Sequence, residues 1–138
     1  MSKTAKIVIW ALVAIAVIAI VALVAVWLIN RGETADPLAG TQWQAQSYYD
    51  AAASGGMASP LAGTQLTAEF ADDQVEGTAG CNSYSASYTV DGDSLSIGPA
   101  ATTRMFCEGL MDQETAFLAA MQSASSFELE TDKLLILN

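Results

Sequence analysis

The chain has 138 residues, a formal charge of −10, two cysteines and no histidine. Without histidine, Ser–His and Cys–His nucleophile pairs are excluded, and so are imidazole metal ligands. The acidic balance leaves no basic footprint for nucleic acid.

Residues 7–29 form an apolar run of 23 residues with no charge, Pro or Gly inside it. As a helix rising about 1.5 Å per residue, the run reaches roughly 34 Å, enough to cross a bilayer with some tilt. Lys3 and Lys6 precede it, and only Arg31 follows before acidic sequence begins. The positive-inside rule therefore keeps residues 1–6 in the cytoplasm and sends everything after the run outside. Trp10 and Trp27 sit near its two ends, where indole rings favour the interface. A cleaved signal peptide is the competing reading, but its apolar core is usually about 7–15 residues. Ala16, Ala19, Ala22 and Ala25 form a small-residue stripe without a Gly-based pattern, which reads as an Ala-rich face toward lipid. The expectation is a single-pass cell-membrane protein with an extracytoplasmic domain.

Residues 30–36 read as a linker and 37–138 as one small domain. All 15 acidic residues follow the apolar run, against Arg31, Arg104 and Lys133, so this part carries a formal charge of −12. Such a domain is repelled by anionic lipid surfaces. A near repeat opens it: residues 37–42 and 60–65 both read Pro-Leu-Ala-Gly-Thr-Gln. Each copy breaks the chain before an extended segment. Trp43, Ala45 and Ser47 line one face of the first segment; Leu66, Ala68 and Phe70 line one face of the second. Residues 51–59 are small and Gly-rich, an expected exposed loop.

Asp72-Asp73 predicts a turn before a short strand from Val75 to Thr78. Gly80-Cys81-Asn82 predicts a tight bend, since Gly and Asn both tolerate positive φ. The clearest alternation follows: Tyr84, Ala86, Tyr88 and Val90 on one face, Ser83, Ser85, Ser87 and Thr89 on the other. Asp91-Gly92 predicts a hairpin turn, and Leu95 and Ile97 continue the buried face. Residues 99–103 read as a crossing segment. Asp112 is the expected N-cap of the only helix after the apolar run, with Phe117, Leu118 and Met121 on its apolar face and Gln113 exposed. Phe127 and Leu129 alternate with Glu128 and Glu130, and residues 131–133 turn the chain into Leu134–Leu137. The fold class is α+β: a small antiparallel β-rich domain with one packed helix, preceded by a transmembrane helix.

The outward compartment permits a disulfide between Cys81 and Cys107; two buried thiols are the alternative. Asp72-Asp73 and Asp91/Asp93 are the tight acidic pairs in predicted turns, and turn chemistry accounts for both. Arg104 reads as a structural ion-pair partner. No phosphate-binding glycine loop and no EF-hand pattern is present, so no catalytic residue, metal or cofactor is assigned.

Three segments carry a resemblance. The first is Leu38-Ala-Gly-Thr-Gln-Trp43 with Leu66 to Phe70; the second is Gly80-Cys-Asn-Ser-Tyr84 with Tyr88. The third is Thr102-Thr-Arg-Met-Phe-Cys107 followed by Met111, Glu114, Phe117 and Leu118. In order and spacing, over residues 37–137, they resemble the META domain, the HslJ-like family of bacterial envelope proteins. Ala86 stands where that family often has Gly, and Asn138 follows Leu134–Leu137 where family members usually continue into a final strand. The resemblance implies a small β-rich domain in the cell envelope, linked to heat-shock response and novobiocin tolerance in bacteria and to motility or virulence in some parasites. It marks Gly80, Cys81, Asn82, Tyr84, Thr103, Cys107 and Glu114 as family signature positions, and it implies no catalytic activity. Those positions read as structural, a bend, core packing and a bridge. The leading functional expectation is a non-enzymatic, membrane-anchored envelope domain that contributes to stress or drug tolerance by binding an envelope protein or small ligand. The rival is a hydrolase or protease-inhibitor-like module that acts through exposed loops, residues 50–60 above all.

Overall fold

The computed structural model describes residues 16–27 and 36–138. Residues 16–27 form a helix, α1, with exposed side chains. Among the described residues no helix is long and apolar enough to cross a membrane. The rest of the expected span, residues 7–15 and 28–29, lies outside the described residues, as do residues 1–6 and 30–35. The second unit is Asp36–Asn138, and it begins one residue before the expected boundary.

Ten strands and one helix build this domain. They are β1 Thr41–Gln44, β2 Tyr48–Tyr49, β3 Met57–Ala58, β4 Thr67–Ala71, β5 Gln74–Thr78 and β6 Ser83–Asp91, then β7 Ser94–Ile97, β8 Ala101–Thr102, α2 Met111–Gln122, β9 Ser126–Leu129 and β10 Leu134–Leu137. Eight strands form one antiparallel sheet in the order β1-β4-β5-β6-β7-β9-β10, with β8 also paired to β6; β2 and β3 form a separate hairpin. The period-two pattern places Ala68 and Phe70, Val75, Tyr84, Ala86 and Tyr88, and Leu95 and Ile97 on one buried face. Phe117 and Met121 of α2 pack into the same core. Edge-to-face contacts tie it together: Phe70 to Tyr88 at 5.0 Å, and Phe117 to Tyr84 and Tyr48 at 5.9 and 6.1 Å between centroids.

The two copies of the hexapeptide fold alike. In each, Gly takes positive φ, 78° at Gly40 and 82° at Gly63, as the third residue of a type II turn requires. Thr41 and Thr64 each return the backbone amide and the hydroxyl to the carbonyl of Leu38 or Leu61. Burial differs between them: Leu38 is in the core, whereas Leu61 is exposed. Beside the first copy, Asp36 accepts from the Leu38 amide through Oδ1 and from the Tyr88 hydroxyl through Oδ2.

Several expectations need correction. The first strand stops at Gln44; Ser47 is exposed and Tyr48 takes the buried place. The supposed loop at 51–59 contains β3, and residues 51–56 close a hairpin held by Asp50 N–H to Gly56 O at 3.0 Å. The hairpin turn after β6 is Gly92-Asp93, because Asp91 still pairs with Ser94. Residues 101–102 do not cross freely; they form β8 against Tyr84 and Ser85. Helix α2 starts one residue before Asp112: the Leu110 carbonyl accepts the first helical bond from Glu114 N–H, which puts Leu110 at the N-cap position, and leucine has no side-chain oxygen to add a cap. Leu129 is exposed rather than core-facing. Gln113 is buried, as is Glu114 beside it.

Candidate functional site

The bend after β5 turns on Gly80, whose φ of 101° leaves room for the backbone to double back. A Cβ there would sit 2.5 Å from Gln113 Nε2, so helix α2 closes against a residue without a side chain. Asn82, by contrast, does not use positive φ. Its side chain is buried, with a relative exposure of 1%, and all four of its hydrogen-bonding positions are filled. Nδ2 donates to Met105 O and Glu114 Oε1, each at 3.0 Å. Oδ1 accepts from the Thr103 hydroxyl at 2.8 Å and the Met105 amide at 2.7 Å. Glu114 Oε2 accepts from the Asn82 backbone amide at 2.9 Å. Thr103 Oγ1 in turn accepts from Ser83 N–H at 3.2 Å. Cys81 and Cys107 are disulfide-bonded with Cα atoms 5.9 Å apart, inside the reach such a bond requires.

Gln113 extends the network toward the second hexapeptide. Its Oε1 accepts from Leu61 N–H at 2.6 Å, and its Nε2 donates to Thr64 Oγ1 at 3.2 Å. Tyr84 lies farther along β6, facing the core, and its hydroxyl donates to Thr67 O at 2.8 Å. Beside it, Thr78 N–H donates to Thr67 Oγ1 at 3.1 Å, where the β4–β5 register has ended. Gly77 is required at this crossing, because a Cβ would fall 2.0 Å from Thr67 O.

On the opposite face of the sheet a groove of about 600 Å³ opens over β1, β4, β5 and the start of β6. Gln42, Gln44, Thr67, Glu69, Glu76 and Ser83 line it. A smaller hollow of about 190 Å³ shares Glu69 and Glu76. These two glutamates are directly paired across β4 and β5, an arrangement that like charges make unfavourable. Among the described residues no group of three or more Asp, Glu or Cys side chains could hold a metal ion.

The META domain profile matches residues 36–138, from the Asp36 contact to the end of β10. The chain belongs to the META domain family. Neither the comparison with curated proteins nor the comparison with solved structures gave a match. Within this META domain, Gly80, Asn82, Thr103 and Glu114 meet in one cluster around the buried Asn82 and Glu114, with Thr103 at its exposed edge, the disulfide across it and Tyr84 apart. Sequence reasoning missed Gln113. The signal was available: counting back four residues from Phe117 along a helix lands on it. It missed the groove as well, because Gln42, Glu69 and Glu76 come together only through strand pairing.

Proposed function

We propose that this META domain is a binding module, non-enzymatic and held outside a bacterial cell membrane by the apolar run at residues 7–29, and that it contributes to envelope stress or drug tolerance. The observation that carries binding is the groove over β1, β4 and β5. Its paired Glu69 and Glu76, flanked by the amides of Gln42 and Gln44, suit a small polar ligand with positive charge. The length and charge asymmetry of the apolar run support the anchor.

Two measurements test the reading. A reporter fused after Asn138 should be active only outside the cytoplasm; activity inside would overturn the anchor. Calorimetric titration of the full chain with spermine should give binding that weakens with salt and is lost in the Glu69→Gln/Glu76→Gln double variant. Binding that survives the double variant would remove the groove from the account. Turnover in a generic hydrolase screen, lost in a carboxylate variant, would replace binding with catalysis.

A further inference from the structure

Phe106 is the most exposed large apolar side chain of the domain at 81%, and Met105 beside it is second at 59%. Such exposure normally goes with a mobile loop, yet this one is clamped on both sides. The Met105 backbone is held by Asn82 through its N–H and its C=O, and Cys107 is held by the disulfide. Cys107 N–H also reaches Met111 Sδ at 3.5 Å. The family signature cluster therefore fixes the backbone from which Phe106 projects. An exposed aromatic on a fixed backbone has only its side-chain torsions to lose on docking, which is the character of an interface anchor.

The surroundings select the occupant. Asp36, where the chain enters the domain, bonds to Tyr88, whereas the clamp is at Asn82. These points are six residues apart on one extended stretch, about 20 Å at roughly 3.3 Å per residue. The loop thus projects at the end of the sheet away from the entry. The domain's acidity opposes anionic lipid and acts against a second copy as well, so a self-contact needs local pairing of opposite charges. The patch is complementary to itself: Arg104 lies two residues before Phe106 and Glu108 two residues after, both exposed. A two-fold axis through Phe106 sets Arg104 of each copy toward Glu108 of the other.

We propose that the loop 104–108 is a self-association site, where two copies of this chain bury Phe106 and Met105 against each other and pair Arg104 with Glu108. The contact is small and belongs to the transient class. It rests on neither the groove nor the membrane anchor.

The test uses the full chain in the cells that make it. A photo-crosslinking phenylalanine analogue in place of Phe106 should give an adduct of twice the 14.4 kDa chain mass. The same analogue in place of Glu128, exposed on β9, should give none. Co-purification of two differently tagged copies should fall at least about tenfold in Phe106→Ser. It should fall in Arg104→Glu and return to within about twofold in Arg104→Glu/Glu108→Arg. Thermal unfolding of each variant should match the parent, since all three side chains are exposed. Monomer alone at position 106, an adduct of any other mass, undiminished co-purification in Phe106→Ser, or failure of the charge swap to restore it would each overturn the proposal.

Discussion

The carboxylate of Glu114 receives both amides of Asn82, the backbone N–H at 2.9 Å and Nδ2 at 3.0 Å, across 32 residues of sequence. One helix residue thereby holds the bend between β5 and β6. Asn82→Asp replaces the donor with a second carboxylate facing Glu114 and the Met105 carbonyl. The expected loss is about 3 kcal/mol or more in urea unfolding. Glu114→Gln keeps one acceptor and should cost less, about 1–2 kcal/mol. A double-mutant cycle on the pair should show strong coupling; additive costs would show that the two side chains act independently.

The disulfide closes a loop between residues 26 apart in sequence. The chain-entropy relation assigns it about 3.5 kcal/mol, an upper figure. That is a large share of the ~5–15 kcal/mol typical of a domain. Thiol alkylation of the native protein without reductant should label neither cysteine. The reduced protein should unfold at markedly lower urea.

Helix α2 offers a paired test. Phe117→Asp places a charge in the core and should unfold the domain. Gln113→Ala leaves the Leu61 amide without its acceptor and should cost about 1–3 kcal/mol. An effect below about 0.5 kcal/mol, the usual range for surface substitutions, would put Gln113 at the surface.

Alkaline pH gives a further handle. Burial raises Tyr84 above the ordinary tyrosine value; burial and then the bond to Asp36 raise Tyr88, with the Asp36, Asp73 and Asp72 charges adding. A raised folded value means the folded state holds its proton longer than the unfolded chain. The stability contribution is therefore complete below about pH 10 and declines as pH rises above it. Urea midpoints should be flat from pH 7 to 9 and fall beyond 10. The Tyr84→Phe/Tyr88→Phe variant starts lower, having lost two hydroxyl bonds, and should fall less steeply.

The local signals settled a good deal. Alternation through Tyr84, Ala86 and Tyr88 identified β6 and its buried face, because a strand sends successive side chains to opposite sides. Gly in the two hexapeptides marked the turns, since only a residue without Cβ enters positive φ cheaply. The spacing of Phe117 and Met121 found the helix, while its start fell at a backbone carbonyl that no side chain announces.

Tertiary structure decided the rest. Asn82 reads as one more turn residue until Thr103, Met105 and Glu114 arrive from 20 or more residues away to saturate it. Gln113 reads as a surface residue until the second hexapeptide folds over it. Glu69 and Glu76 become neighbours only through strand register, and Phe106 becomes a fixed projection only through the clamp at Met105 and Cys107. Periodicity reports which side of an element is buried. Which polar groups satisfy one another across the fold depends on distances that sequence spacing does not carry.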